Sequence, residues 1–217
     1  MAKFEKQTGN MTIYDKIQEA NENQFIKLDL SNTHLKTLPD ELFTLSHLRI
    51  LSLEDCYLRT IPKEIARLQQ LEVLEISVNR LTSIPEELGE LQNLTKLTLS
   101  YNQIAKIPST IGNLNKLEVL NIEMNNIKRL PQEIENLWNL RELNLSSNAF
   151  KSFPSQIFNL KNLRKLNLHQ NQIEELPRQI TTIELDEFNI EHNPLTKPPV
   201  KIALQGLTTI KNWFAQN

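Results

Sequence analysis

Residues 71–93 read LEVLEISVNRLTSIPEELGELQN, with Leu or Ile at positions 1, 4, 6, 11, 14, 18 and 21 of the stretch. An amphipathic helix repeats its apolar residues near every 3.6 positions, and a half-buried strand alternates them. This stretch follows neither rule for long. Its segment LEISV alternates and is typical of a short strand with one buried face. The remaining Leu and Ile residues lie on a return segment that must reach the same core.

The same pattern recurs along the chain. Successive copies begin at Phe25, Leu48, Leu71, Leu94, Leu117, Leu140 and Leu163, each 23 residues after the last, and an eighth begins at Leu185 after a copy that is one residue shorter. We number these copies as repeats 1 to 8 and count positions from the first residue of each. A fixed period of about 20 to 50 residues indicates a solenoid. We therefore predict eight strands that pair side by side in one parallel sheet on the concave side of a curved array.

Two further columns of the repeat are regular. Position 15 is Pro in all eight repeats, which fixes φ, removes an N–H group and favours an irregular or single-turn helical return. Position 9 holds Thr33, Cys56, Asn79, Asn102, Asn125, Asn148, Asn171 and Asn193. An amide buried where the strand turns into the core needs partners, and Asn can both donate and accept. We predict a hydrogen-bonded ladder and interpret Cys56 as a structural member of it, not as a nucleophile.

The residues LEVLEISVNRL match L-x-x-L-x-L-x-x-N-x-L, the signature of leucine-rich repeats. The chain resembles this family from about Phe25 to Ile202. Its recurrent LP or IP pair is similar to the 23-residue type found in cytoplasmic Ras-pathway scaffolds, plant intracellular Ras-group proteins and many bacterial proteins. The ending HNPLTKPPVKIALQGLTTIKNW resembles the close of such domains, where N-P-L-x-x-P-P precedes a helix. The resemblance implies an α/β leucine-rich-repeat solenoid, a curved horseshoe with one parallel concave sheet.

A repeat array exposes apolar faces at its ends and needs caps. We predict three regions: an N-terminal tail with a capping helix (1–24), eight repeats (25–199) and a C-terminal capping helix (200–217). The first helix is predicted from about Thr12 to Asn21, with Thr12 as N-cap and Asp15 in the first turn. Its apolar face consists of Ile13, Ile17 and Ala20.

The C-terminal cap is predicted as a single helix that begins after Pro199. One face of that helix would carry Val200, Ala203, Leu204, Leu207, Ile210 and Phe214. Gly206 lies inside it and should cost roughly 1 kcal/mol relative to Ala.

Composition excludes several classes. The 217 residues include 24 Lys and Arg against 26 Asp and Glu, a net charge of −2, whereas nucleic-acid binders usually carry a clear basic excess. A single cysteine allows no disulfide framework and no four-cysteine metal site within the chain. The start MAKFEKQTGN lacks an apolar segment, and no apolar run approaches about 18 residues. We expect a soluble, monomeric, cytoplasmic protein without a cofactor and without contacts to nucleic acid or membrane.

Motifs for catalysis are missing from the sequence. None of the four glycines opens a phosphate-binding loop, and neither H-E-x-x-H nor G-x-S-x-G occurs. We therefore predict that the chain is not an enzyme. His169 and His192, in adjacent repeats and near Glu191, can approach each other. They are candidate metal ligands, and the simpler interpretation is a pair of solvated histidines.

Outward positions of the strands suggest where a partner binds. Side chains at positions 3, 5, 7 and 8 should point out of the sheet. Position 8 reads Asn32, Asp55, Val78, Tyr101, Met124, Ser147, Gln170 and His192. Its three consecutive apolar residues, with Ile50, Val73 and Val119 at position 3, predict an interface. Glu75 and Glu123 would contact basic groups of the partner. The alternative is that β-branched residues merely favour strands.

These observations predict a protein-binding module that recognises a macromolecular partner on its concave sheet. The resemblance suggests a cytoplasmic scaffold or adaptor in signalling, with a small GTPase or another signalling protein as the candidate partner. One alternative is a bacterial effector or host-interaction protein. Another is the targeting domain of a larger enzyme, such as a ubiquitin ligase or Roco-type GTPase, with a catalytic domain beyond residue 217. Trp138 is also open to two interpretations: it packs on a neighbouring loop or it contacts a partner.

Overall fold

A computed structural model describes residues 11–217. This part of the chain contains three α-helices, α1 (Ile13–Glu22), α2 (Val200–Ala203) and α3 (Leu207–Gln216). Between α1 and α2 lie eight three-residue strands. They are β1 (Lys27–Asp29), β2 (Ile50–Ser52), β3 (Val73–Glu75), β4 (Lys96–Thr98), β5 (Val119–Asn121), β6 (Glu142–Asn144), β7 (Lys165–Asn167) and β8 (Glu187–Asn189).

The strands form one parallel sheet in chain order, from β1 to β8. Their register is position for position, so that Leu51 of β2 pairs with Leu74 of β3, and Leu74 with Leu97 of β4. Position 4 is therefore buried in every repeat up to repeat 7, and Phe188 is partly buried in repeat 8. The prediction of a curved solenoid with one parallel sheet is confirmed.

The return segments are short 3-10 helices on the convex side. Seven of them, each five residues long, occur within residues 11–217: Asp40–Thr44, Lys63–Arg67, Glu86–Glu90, Ser109–Asn113, Gln132–Asn136, Ser155–Asn159 and Arg178–Thr182. Each begins directly after the position-15 proline, whose φ is fixed and whose missing N–H is not needed there. Of the two predicted forms of the return, irregular or short helical, the structure has the helical one.

Two glycines let consecutive returns pack very closely. A Cβ placed on Gly89 would lie 2.3 Å from the carbonyl oxygen of Thr110, and one on Gly112 would lie 2.3 Å from that of Glu133. Because these contacts are with backbone, a larger residue could enter only if the turns moved apart. The convex sides of repeats 3 to 5 are therefore narrow, with backbone packed against backbone.

The N-terminal cap agrees with the prediction. The Thr12 hydroxyl accepts a hydrogen bond from the Asp15 N–H, and the Asp15 carboxylate accepts from the Thr12 N–H at 2.8 Å. This reciprocal pair is a capping box. The pKa of Asp15 is lowered mainly by a further hydrogen bond that the Thr12 hydroxyl donates to its carboxylate at 2.7 Å, and then by the bond from the Thr12 N–H. Ile17 and Ala20 are buried against the first repeat, and Ile13 is partly buried there.

The C-terminal cap differs from the prediction, which was one helix. The helix is interrupted at Gly206, which has a φ of +91° and is the N-cap residue of α3. Because the two helices are not in register, the predicted apolar face is divided. Ala203, Ile210 and Phe214 are buried, and Leu207 is partly buried, but Val200 and Leu204 are exposed.

Candidate partner-binding surface

The strands of the sheet end earlier than the alternation predicts. LEISV was predicted as a strand, but β3 consists of Val73–Glu75 only. The backbone then turns, and Val78 has a φ of +56°. All eight residues at position 8 share this left-handed conformation, with φ between 51° and 58°. Position 8 is therefore the corner at which each repeat leaves the concave face.

A left-handed backbone suits Asn, Asp or Gly and disfavours other residues by roughly 1–2 kcal/mol. Repeats 1 and 2 place Asn32 and Asp55 at this corner, whereas Val78, Tyr101 and Met124 have no side chain that stabilises it. The alternative explanation of these three residues, a preference of β-branched side chains for strands, is therefore wrong for Val78. Ser147, Gln170 and His192 share the conformation, so that the corner is a feature of every repeat and the apolar side chains are what distinguish these three.

The side chains of Val78, Tyr101 and Met124 form one exposed apolar row, here called the corner row. Their exposed fractions are 42%, 52% and 40%, and they occupy the same position of three consecutive repeats. Backbone hydrogen bonds continue through the corner, since the N–H of Val78 donates to the Ser100 carbonyl and that of Tyr101 to the Glu123 carbonyl, both at 2.9 Å. The row is thus held by the same ladder that holds the sheet.

The other predicted apolar residues lie apart from the corner row. Ile50 pairs with Val73, and Lys96 separates Val73 from Val119. All three are partly buried and stand five positions before the corner, with the polar columns between. The structure therefore divides the predicted interface into two rows at opposite margins of the concave face.

Position 7 is less exposed than predicted. Three of its serines, Ser77, Ser100 and Ser146, are buried, and the Ser100 hydroxyl donates to that of Ser77 at 2.9 Å. Glu123 at the same position is partly buried and accepts a hydrogen bond from the Asn144 amide at 3.1 Å. Only Glu54 and Glu191 are exposed at this position.

Glu75, the other predicted acidic contact, already has a partner within the chain. Its carboxylate accepts from Lys96 Nζ at 2.7 Å and from the Ser52 hydroxyl at 3.1 Å. The bond from Lys96 is the main cause that lowers the pKa of Glu75, and burial opposes it. A partner would therefore meet a neutralised pair here and not a free carboxylate.

The column at position 9 explains why the corner is so regular. Asn125 accepts from the N–H of Ile104 at 2.9 Å and donates to the carbonyls of Leu99, Ile122 and Glu123 at 3.0–3.1 Å. The other asparagines of this column bond in the same manner. Cys56 is fully buried and donates its thiol to the Leu30 carbonyl at 3.1 Å. The predicted ladder, and the structural role of Cys56, are confirmed.

The concave face changes character toward the C-terminal end. A hollow of about 590 Å³ spans repeats 5 to 8. Lys165 crosses it and forms salt bridges with Glu142 at 3.4 Å and Glu187 at 3.1 Å, which raise the pKa of the lysine. Asn121, Asn144 and Asn167 line the same hollow. The corner row thus ends in repeat 5, and positions 3 and 5 of repeats 6 to 8 line the hollow with polar and charged side chains only.

Sequence reasoning missed a basic edge beside the corner row. Positions 10 to 13 of repeats 1 to 6 contain seven exposed cations and no acid: Lys36, Arg59, Arg80, Lys106, Lys128, Arg129 and Lys151. Across residues 11–217, no salt bridge involves any of these seven side chains. The net charge of −2 hides this segregation, which a count of charges by repeat position would have found.

An aromatic cleft opens on this basic edge. Its volume is about 560 Å³. Tyr57 occupies position 10 of repeat 2, its ring stacked on His34 with centroids 5.3 Å apart, and the Arg80 guanidinium lies 4.9 Å from the ring centroid. Tyr57 also has a positive φ of 61°. The edge therefore offers a cation-rich surface that is continuous with the corner row through Arg80.

Trp138 is largely exposed, which argues against the interpretation that it packs on a neighbouring loop. Its exposed fraction is 67%, because it follows the return helix Gln132–Asn136 at a position where the other repeats carry polar residues. Only its backbone is engaged, accepting from the Asn162 amide at 2.6 Å.

A curved array of parallel strands with a patterned outward face is a repeat-type binding module, and comparison with known proteins assigns the family. The leucine-rich-repeat family profile matches residues 26–81, 46–104, 92–150 and 138–195, which together cover most of the chain. The chain belongs to the leucine-rich-repeat family. Proteins of this fold are typically non-enzymatic modules for protein–protein interaction. No curated protein matches the sequence.

Solved structures provide the relatives. A leucine-rich-repeat protein of Leptospira interrogans is 31% identical, with a TM-score of 0.76 over 85% of this chain and 53% of its own. The ectodomain of the Arabidopsis thaliana receptor kinase GASSHO1/SCHENGEN3, in complex with CASPARIAN STRIP INTEGRITY FACTOR 2, is 34% identical, with a TM-score of 0.67 over 73% of this chain and 20% of its own. The plant receptor RGFR1 in complex with RGF2 is 30% identical, with a TM-score of 0.65 over 73% and 26%.

The chain therefore spans about half the length of the bacterial protein and a fifth to a quarter of these plant receptors. Within residues 11–217, no helix has the length and hydrophobicity needed to cross a membrane.

Proposed function

We propose that the chain binds a protein partner on its concave side, with the corner row at the centre of the contact. The observation that carries the proposal is the exposure of Val78, Tyr101 and Met124 on three consecutive left-handed corners. These side chains stabilise neither the core nor the corner conformation. A partner that covers their exposed portions removes apolar surface from water that the free protein leaves uncovered.

The charges beside the corner row indicate the chemistry of the partner. On one side, Glu75 is paired with Lys96. On the other side, positions 10 to 13 of repeats 1 to 6 carry Arg80 and the remaining cations of the basic edge and no acidic residue. We infer a partner with an apolar ridge flanked by acidic residues, in which opposite charges speed association and fix orientation. Ile50, Val73, Val119 and Glu123 would lie at the outer margin of such a contact.

The biological setting is part of the proposal. We favour a monomeric cytoplasmic scaffold or adaptor in signalling, because the repeat type resembles that of cytoplasmic Ras-pathway scaffolds and because the single cysteine, Cys56, is buried and forms no disulfide. The similarity to a Leptospira protein supports a second candidate, a bacterial protein that acts on a host partner. A role as the recognition region of a larger protein is the third.

A comparison of variants on different surfaces tests the proposal. Immobilised wild type, Tyr101→Ala and Tyr14→Ala would be used to capture partners, and the retained proteins compared by quantitative mass spectrometry. Tyr14 is the matched control, since it is 60% exposed and lies on α1 beside repeat 1, two repeats before the corner row begins. The proposal expects a protein that wild type and Tyr14→Ala retain and Tyr101→Ala loses.

Two further variants locate the contact if Tyr101 is not part of it. Arg80→Ala changes the basic edge, and Glu90→Ala changes the convex side. A partner that is lost only with Glu90→Ala would place the contact on the return helices and refute the proposal. A partner lost with both Tyr101→Ala and Arg80→Ala would support the inferred acidic flank.

A further inference from the structure

Repeats 7 and 8 bring three metal-binding side chains together at the end of the concave face. The rings of His169 and His192 lie edge to face with centroids 4.7 Å apart. One donor atom from each of these histidines and one from the Glu191 carboxylate all lie within 4.8 Å of one another. Solvated histidines were the simpler expectation from sequence, but the structure places the rings in contact and brings the Glu191 carboxylate close to both.

We propose that His169, Glu191 and His192 bind a divalent transition-metal ion such as zinc. Imidazole nitrogen suits zinc, nickel and copper, and two histidines with one carboxylate are an established donor set for zinc. With bonds of about 2.0–2.2 Å in a tetrahedral arrangement, the donor atoms stand roughly 3.4 Å apart. The donor atoms, which lie within 4.8 Å of one another, therefore need to approach by at most about 1.4 Å. Glu191 and His192 are exposed and can rotate to do so.

The backbone that carries the donors is fixed on both sides. In each of the two repeats, the position-5 asparagine accepts a hydrogen bond from the N–H of His169 or Glu191 at 3.0 Å. The position-9 asparagine of the same repeat donates to the carbonyl of that residue at 3.3 Å. His192 follows in the left-handed corner, with a φ of 57°. Held in this way, the donors lose little backbone freedom when a metal ion binds.

Two consequences follow from this geometry. Three protein ligands leave at least one coordination position open, so that the ion can hold water or a group from a partner. The ion also connects repeat 7 to repeat 8, and a ligand that binds only the folded state raises the melting temperature. Magnesium prefers an all-oxygen shell, so it should not bind this site and should not raise the melting temperature. The proposal is independent of the partner proposed for the corner row.

The test is isothermal titration of the tag-free protein with zinc chloride in a non-chelating buffer. Wild type should bind one equivalent. The variants use residues that other repeats already carry at the same positions: His169→Ser, as in four other repeats, and His192→Gln, as in repeat 7. Each should weaken zinc affinity at least tenfold, and Glu191→Gln should weaken it by a similar factor. His34→Gln is the matched control. It should bind zinc like wild type, because His34 is exposed on the basic edge in repeat 1, whereas the proposed site is in repeats 7 and 8.

Thermal melting gives a second measurement. Zinc should raise the melting temperature of wild type and His34→Gln, leave that of the double variant His169→Ser/His192→Gln unchanged, and magnesium should have no effect on any of them. The proposal is overturned if wild type takes up no zinc, if the site variants bind as tightly as wild type, or if His34→Gln loses as much affinity as they do. Glu191→Gln, which alters an exposed side chain only, decides the case if a histidine variant fails to fold.

Discussion

Positions 8 and 9 are neighbours in every repeat, yet they have different structural roles. Position 9 is buried, is Asn in six of eight repeats, and uses its amide to bond the backbone of two repeats. Position 8 is at the corner, shares one backbone conformation, and carries eight side chains of which no two adjacent ones are alike. The inward column, position 9, determines the fold, whereas the outward column, position 8, is free to vary. In the corner row, position 8 carries apolar residues although the left-handed backbone favours Asn, Asp or Gly.

The largest effect should come from breaking the inward column. In Asn125→Ala, the carbonyls of Leu99 and Ile122 keep the amide of a neighbouring asparagine, but the N–H of Ile104 loses its only partner. A buried unsatisfied donor, together with the lost bonds, should lower the free energy of unfolding by about 2–3 kcal/mol. Urea denaturation followed by circular dichroism measures this.

The matched control for that variant is Asn126→Ala, one residue further on and exposed. It should change the free energy of unfolding by less than about 0.5 kcal/mol. Equal losses in the two variants would mean that the amide at position 9 is not what holds the repeats together.

The second effect is the converse: binding lost without loss of stability. Tyr101→Ala should weaken partner binding by about 1–3 kcal/mol, because interface energy is concentrated in a few large residues. Its unfolding free energy should stay close to that of wild type, since the side chain is 52% exposed. Titration and denaturation of the same preparation measure both. A variant that loses stability and binding together would show that Tyr101 belongs to the framework.

Sequence alone predicted the features that depend on the inward column, and only part of those on the outward column. The period of 23 residues, the strand pairing, the ladder and the N-terminal capping box all depend on residues that recur or bond locally. The left-handed corner was missed because the residues that indicate it in a sequence are Asn and Asp at position 8. Only repeats 1 and 2 have them there, as Asn32 and Asp55, and the next three repeats have apolar residues.

Two other features depended on packing that a sequence does not reveal. Gly206 could be a costly helix residue or the start of a new helix, and the structure uses it as the latter. The basic edge is spread over residues far apart in the chain, from Lys36 to Lys151, and becomes a surface only when the repeats stack. The separation of Ile50, Val73 and Val119 from the corner row likewise follows from where the strands end.

A third experiment separates strain from binding within the corner row. Val78→Asn places at the corner the residue that repeat 1 already has there. Because Asn tolerates a positive φ, the variant should be more stable by about 0.5–1 kcal/mol and should bind the partner less well. Ser147→Asn, at the same position of repeat 6 with a φ of 53°, should gain stability and leave binding unchanged. If Val78→Asn is less stable than wild type, Val78 stabilises the fold and is not strained.

The smallest effect should come from the charged pair on the outward side of the strands. Because the bond from Lys96 lowers the pKa of Glu75 below its usual 4.5, the folded state favours the ionised carboxylate. Its contribution to stability is therefore fully present above the unfolded pKa and is lost as pH falls through the folded pKa. Both side chains are about a third or more exposed, so that Glu75→Gln should lower the free energy of unfolding by only about 0.2–1 kcal/mol at pH 7. This difference should shrink in concentrated salt and disappear on acidification below 4.5. Glu90→Gln on the convex side is the control and should differ little from wild type at any pH. A deficit of Glu75→Gln that persists in acid would come from packing and not from charge, and position 5 would then resemble the inward column more than the outward one.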